Sequence, residues 1–425
     1  MTGLMLGAMV ALLLLGFPMM IPLIAGAFIA FFAFLPVPPE IMVQQMIAGI
    51  RPSALVAVPM FILAADIITK GHSADRLIDL VMRSFGHVRG GLGVTTAASC
   101  ALFGAVSGST QATVVAIGGP LRPKLLDAGY KDSFALALIV NASDIAMLIP
   151  PSIAMIVYGV ISGASISELF IAGVGPGLLI LLLFSIYCYI YAVRHDIPVA
   201  PRASWASWFQ ALRGALWPLG FPLIVVGGIY GGIFSPTEAA SVCVAYALLL
   251  EFVIFRSLKL PDLVEVAKST GLITAVVFIL VGAGAAFSWA ISFAQIPQQV
   301  IAAVGLDGAG AVTVLIAISI AFFIGCMFVD PIVVILVLTP IFAPLVEQAG
   351  IDPVLVGVII TLQVAIGSAT PPFGCDIFTA IAIFKRPYVD VVRGTPPFIA
   401  MLFAVSATLI AFPQIALFLR DLAFR

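Results

Sequence analysis

Residues 141–152 read NASDIAMLIPPS, and residues 367–376 read GSATPPFGCD. Each places hydroxyl, amide or carboxyl side chains around a Pro-Pro pair, inside a stretch otherwise apolar enough to lie in a bilayer. Proline removes a backbone donor and pushes the residue before it out of helical geometry, so each pair interrupts a helix. An interruption at membrane depth is tolerated only where protein or a water-filled cavity surrounds it, and the carbonyls it frees can bind a cation. Burying an uncompensated carboxylate such as Asp144 costs several kcal/mol, which makes it a functional-site candidate by default.

The rest of the chain fits that setting. Of its 425 residues, 62% are hydrophobic and 9% charged, against roughly 25% charged in a soluble domain. Apolar stretches that can cross a hydrocarbon core, about 20 residues each, recur from end to end. The net charge of −1 and the absence of a Lys/Arg-rich run exclude nucleic acid as a partner. The five cysteines lack CxxC spacing, which argues against a disulfide framework or a zinc site. His72, His87 and His195 read as interfacial. The segment Met1–Leu15 lacks the basic region and cleavage site of a signal peptide and reads as a retained first helix.

Gly, Pro and charges divide the chain into two similar sets. The first inverted repeat, 1–200, carries helices near 3–17, 19–35 and 53–70 and an amphipathic stretch at 73–85. A hairpin at about 90–127, a broken helix at 133–161 and a helix at 169–193 complete it. The second, 210–425, has helices near 214–232, 237–255 and 270–286 and an amphipathic stretch at 289–304. A hairpin at about 308–347, a broken helix at 354–384 and a helix at 397–415 follow. A shift of 221 positions carries Gly104 onto Gly325, Pro123 onto Pro344, Pro150-Pro151 onto Pro371-Pro372 and Pro176 onto Pro397. Such self-similarity decides architecture before other signals do.

Basic residues set the orientation, since they favour the cytoplasmic side in short loops. All but Arg51, Arg420 and Arg425 fall where one face collects them, provided each hairpin enters and leaves on one side. No Lys or Arg lies between Lys268 and Lys385, so the second hairpin faces the other way. The expected fold is an all-α polytopic membrane protein: ten spans, an inward and an outward re-entrant hairpin, discontinuous helices, and both termini outside. Secondary transporters of this build hold their sites at the breaks, near the midplane.

Two pseudo-equivalent cation sites follow. Ser107, Ser109 and Thr110 at the first hairpin tip, with Asn141 and Asp144 at the facing break, supply hard oxygen ligands for a sodium-like ion. Gly325 and Asp330 of the second hairpin, with Gly367, Ser368 and Thr370, make the second site; Asp330 falls at the repeat position of Ser109. The competing reading is interhelical hydroxyl hydrogen bonding. Ser152, Asp376 and Glu238 are further candidates near substrate, although Ser235-Pro236-Thr237-Glu238 reads equally as a helix N-terminus. Asp66 is expected to meet a cation or water. No metal motif or nucleophile elbow supports an intramembrane enzyme, and no pore ring supports a channel.

Together FSPTEAA (234–240), NASDIAMLIPPS and GSATPPFG (367–374) resemble the large membrane subunit of TRAP transporters, the tripartite ATP-independent periplasmic family. The likeness covers essentially the whole chain. It implies an elevator-type fold related to divalent-anion/sodium symporters, in a multi-pass protein of the bacterial inner membrane. It also implies sodium-driven uptake of an organic acid, with Na+ as the ion and no organic cofactor. A periplasmic substrate-binding protein would deliver the substrate, and a small four-helix membrane subunit would complete the scaffold. Among relatives the chain looks most like the sialic acid transporters. The neighbouring expectation is a single-component sodium/carboxylate symporter of the related fold.

Overall fold

In a computed structural model, which describes residues 2–424, every regular element is helical. Two helices, Thr2–Leu14 and Met20–Ile29, open the chain, and the second finishes in a π turn over Ala30–Phe34. After Glu40–Ile50 and a short 3-10 turn at Ser53–Val56 comes Ala57–Lys70. The amphipathic stretch forms a helix over Ser73–Phe85. It packs on Trp205–Tyr230, where Trp208 Nε1 donates to Ser84 Oγ at 3.0 Å.

The first hairpin is Gly91–Ser107 and Thr110–Asp127, and the first broken helix is Asp132–Ser143, Ile145–Leu148 and Ile153–Ser162. The latter bends by 42° at its break. Ile166–Arg194 closes that half. In the other half, Trp205–Tyr230 precedes Pro236–Leu248, which again runs into a π turn, Leu249–Ile254. Then follow Leu260–Phe293, Ile296–Val304, the second hairpin Ala311–Cys326 and Pro331–Gln348, and the second broken helix Pro353–Ser368 and Cys375–Phe384. Tyr388–Val392, Pro396–Ala411 and Gln414–Ala423 end the chain.

Two expectations change. The helix expected near 270–286 and the start of the amphipathic stretch at 289 are one continuous helix, Leu260–Phe293, of 34 residues. At about 1.5 Å per residue it is near 50 Å long and outruns the hydrocarbon core. Its first turns carry Asp262, Glu265 and Lys268, and the reading of charges as helix ends stopped it short. Only Ile296–Val304 remains as the separate amphipathic piece. The helices Glu40–Ile50 and Gln414–Ala423 were not anticipated.

Among the described residues, six helices are long and apolar enough to cross a membrane, or up to eight if each of two bent pairs is one span. One of these, Pro331–Gln348, is a limb of the second hairpin, and the other three expected spans are built of pieces of 10–17 residues: Thr2–Leu14, Met20–Phe34 and the two parts of the second broken helix.

The corresponding elements of the two halves pack alike. A Cβ on Gly104 would fall 2.5 Å from Ala146 Cα at the first break. A Cβ on Gly367 would fall 2.9 Å from Phe323 O of the second hairpin. Ala146 and Gly367 are 221 positions apart, as are Gly104 and Gly325. Small residues thus let each hairpin cross its own broken helix closely. Both Pro-Pro bonds, 150–151 and 371–372, are cis.

Two ion-pair clusters gather residues from both halves. Asp132 accepts Arg122 through Nε and Nη2, each at 2.8 Å, and Arg386 Nε lies 2.9 Å from it. Elsewhere Arg420 pairs with Asp352, with Asp421 at 2.7 Å and with Glu168 at 3.8 Å. Arg420, an exception to the charge rule, is thereby compensated by three acids.

Candidate functional site

The tip of the first hairpin turns at Gly108, whose φ of +61° is left-handed geometry that suits glycine. A Cβ there would strike the carbonyl of Pro151, so the tip rests directly on the first break. Ser109 then caps the second limb, its Oγ accepting from Ala112 N at 3.4 Å. Asp330, 221 positions on, holds the same place in the second hairpin, where its Oδ1 accepts from Ile332 N at 2.9 Å. Side chains at both repeat positions are therefore helix N-caps. The second tip is tied to its break as well, since Phe373 N donates to Met327 O at 3.2 Å.

Around the first tip, Ser107 Oγ lies 3.2 Å from Thr113 Oγ1, and Thr113 Oγ1 donates to Ser109 O at 2.8 Å. Asn141 and Asp144 stand three positions apart on one face of the facing helix and are fully buried. Asn141 Nδ2 donates to Ala137 O at 2.8 Å. Its Oδ1 and both carboxylate oxygens of Asp144 are buried with no donor among the described residues. Buried acceptors are almost always satisfied, so three orphaned oxygens within one helical turn are an anomaly that a hard cation would resolve.

At the second break, Ser368 and Thr370 spend their protons on backbone or acid: Thr370 Oγ1 donates to Ile366 O at 2.5 Å. Fully buried Asp376 joins the halves. Its Oδ1 accepts from Thr110 Oγ1 and its Oδ2 from Ser368 Oγ, each at 2.7 Å. Ser152 caps Ile153–Ser162 at the first break, accepting from Met155 N at 3.3 Å. Gly325 lies against Val334 within its own hairpin. Glu238 stands apart: it closes a capping box with Ser235, whose N and Oγ each donate to it at 2.8 Å.

A cavity of about 670 Å³ opens beside the two tips. Residues 107–112 and 330–333, Asp66 and apolar residues of Leu260–Phe293 line it, and no Lys, Arg or His reaches it. The first turns of Thr110–Asp127 and Pro331–Gln348 both border this space, so two helix N-termini present positive partial charge to it. No group of three or more His, Cys, Asp or Glu poised for a metal exists among the described residues. The oxygens at the breaks are hard ligands, unlike the thiolates and imidazoles that hold softer transition metals.

Four participants went unnoticed in the sequence. Thr113, Gln111 and Cys375 reach the site only through helix geometry, and Thr270 only through packing. Glu251 is a separate omission whose signal was present, a lone acid in an apolar run. It is fully buried, accepts from Ser73 Oγ at 2.5 Å and His72 N at 3.2 Å, and pairs with Ser257. It fastens the amphipathic helix to the π turn and does not border the cavity.

Hairpins crossing broken helices, with a cavity beside their tips, define a polytopic transport protein. The chain belongs to the tripartite ATP-independent periplasmic transporter family, DctM component, whose pattern it matches over residues 6–415. It is thus the large permease of a TRAP transporter, an inner-membrane protein and not an enzyme. It is 73% identical to the ectoine/5-hydroxyectoine TRAP transporter large permease protein of Ruegeria pomeroyi, over 98% of both chains. It is 70% identical to the ectoine TRAP transporter large permease protein of Halomonas elongata, over the full length of both. The sialic acid counterpart of Vibrio cholerae is 33% identical over 89% of both, so the expected likeness to sialic acid transporters gives way to the ectoine proteins. In fold, the YdaH transporter of Alcanivorax borkumensis superposes with a TM-score of 0.63 over 88% of both chains at 17% identity.

Proposed function

We propose that this chain is the membrane permease of a sodium-driven importer of ectoine or a close cyclic relative. A periplasmic binding protein would deliver the substrate, and a small four-helix membrane subunit would complete the scaffold. The observation that carries the substrate is the end-to-end identity of 73% and 70% with two ectoine permeases. The cavity supports it, because a site without a basic side chain suits a substrate of no net charge better than a dianion.

In this reading the halves are inverted repeats and the hairpins enter from opposite faces. Asn141 and Asp144, with Ser107, Ser109 and Thr110, take one sodium. Asp330, Gly325 and the stretch Gly367–Ser368–Thr370 take the other. The three orphaned oxygens at Asn141 and Asp144 support the first site most strongly. Sodium there offsets buried negative charge and fixes the tips, whose helix N-termini then receive the substrate carboxylate. The hairpins and broken helices move as one body against the remaining helices, carrying ions and substrate together. Coupling requires that a half-loaded body cross poorly, since ions shift only equilibria in which they bind the states differently.

The test is uptake into liposomes holding the permease and its small partner, with the cognate binding protein and labelled ectoine, sialic acid and succinate. Ectoine should enter at least tenfold faster than the others. Equal entry of all, or preference for succinate or sialic acid, overturns the substrate assignment.

A further inference from the structure

Asp66 lies late in Ala57–Lys70 and lines the same cavity as the hairpin tips, from an element outside the hairpins. Thr270 Oγ1 donates to its Oδ2 at 2.8 Å, which orients the carboxylate. It has no ion-pair partner among the described residues. The nearest cation on its own helix, Lys70, is held by Glu265, with Asp262 at 3.9 Å. The cavity is also bordered by the positive ends of two helices and the carboxylate of Asp330, which the proposed second sodium would accompany. One cavity therefore holds both anion-receiving helix ends at the hairpins and a carboxylate without an ion-pair partner on a separate element.

From this we infer that Asp66 is the counter-charge for the positive end of a zwitterionic substrate and sets the permease's preference for zwitterions over plain carboxylates. The inference rests on the ectoine reading above. Ectoine is a cyclic amidine bearing a carboxylate, and its positive charge is spread over the ring nitrogens. Its carboxylate faces the hairpin tips and its amidinium hydrogen-bonds to Asp66, a charge-assisted contact stronger than a neutral one. Apolar residues around Asp66, among them Ile62, Leu272 and Val276, surround the ring and strengthen the pairing by excluding water. A carboxylate lacking the cation leaves Asp66 uncompensated beside it. Because Asp66 belongs to the helices outside the hairpins, the contact is made in the state seen here and released when the loaded hairpins move away.

The experiment measures equilibrium binding to the full chain with its small membrane partner in nanodiscs, in saturating sodium chloride. The ligands are labelled ectoine and labelled pyroglutamate, a ring carboxylate whose lactam is neutral. The wild type should bind ectoine at least tenfold tighter. Asp66→Asn and Asp66→Ala should lose that preference to within threefold by weakening ectoine alone, and Asp66→Glu should keep part of it. A ratio of affinities does not depend on the folded fraction, so a variant of low yield still reports.

If the wild type binds both ligands within threefold of each other, the inference fails without recourse to a variant. It fails too if the neutral variants keep the preference or weaken both ligands equally. If the wild type binds no ectoine at all, the substrate reading itself has failed, which is a distinct result.

Discussion

Asp376 is fully enclosed and accepts one hydroxyl from the first hairpin tip and one from the second break. That cross-connection is 266 residues long and could not be read from the sequence, because nothing local marks Thr110 as its partner. Asp144 is the opposite case. Its neighbours in NASD and the following Pro-Pro pair announced a site, and the structure leaves both of its oxygens without a donor. An ion bound only by the folded state stabilises it, by about 2.7 kcal/mol at a concentration of one hundred times Kd, and the proposed sodium site would act in this way. Sodium chloride should therefore raise the thermal midpoint of the wild type above that in choline chloride at equal ionic strength. Asp144→Asn should lose most of that sodium-specific rise, as measured by thermal shift in detergent. An undiminished rise in the variant would remove Asp144 from the site. The capping roles of Ser109 and Asp330 were likewise beyond the sequence reading, which registered hydroxyl and carboxyl oxygens but not their local hydrogen bonds.

At the scale of elements, hairpin and broken helix are held together by close backbone approach. A Cβ at Gly367 would sit 2.9 Å from Phe323 O and 3.0 Å from the Cys326 carbonyl carbon. Gly367→Ala should destabilise the protein by about 1–3 kcal/mol through overpacking. Gly271→Ala, in an equally helical setting with nothing within 4 Å of the added atom and no proline after it, should be neutral or slightly stabilising. Thermal unfolding of the two variants side by side checks this, and equal effects would show that the crossing is not tight. Punctuation by Gly and Pro located both hairpins, both breaks and the helix Ser73–Phe85 because their ends coincide with turns. It failed at Leu260–Phe293, where Asp262, Glu265 and Lys268 sit inside a helix that projects beyond the apolar layer. It failed again at Glu40–Ile50, too short and too polar to register as a span.

For the whole molecule, the two halves share one order of hairpin, broken helix and closing helix, and the site assembles where they meet. Asp132 binds Arg122 and Arg386, one from each half, so two clusters that the charge map placed on one face do lie together. The cavity beside the tips holds two helix N-termini and two acids but no base, which suits co-loading of cations with a substrate that carries a carboxylate. The account stands on coupling between those cations and the substrate. Its most direct test is ectoine uptake into liposomes that contain the assembled transporter and are supplied with the loaded binding protein, comparing an inward sodium gradient with equal sodium on both sides. The gradient should drive accumulation above the external concentration, and its removal should abolish accumulation. Equal uptake in the two conditions would contradict the account.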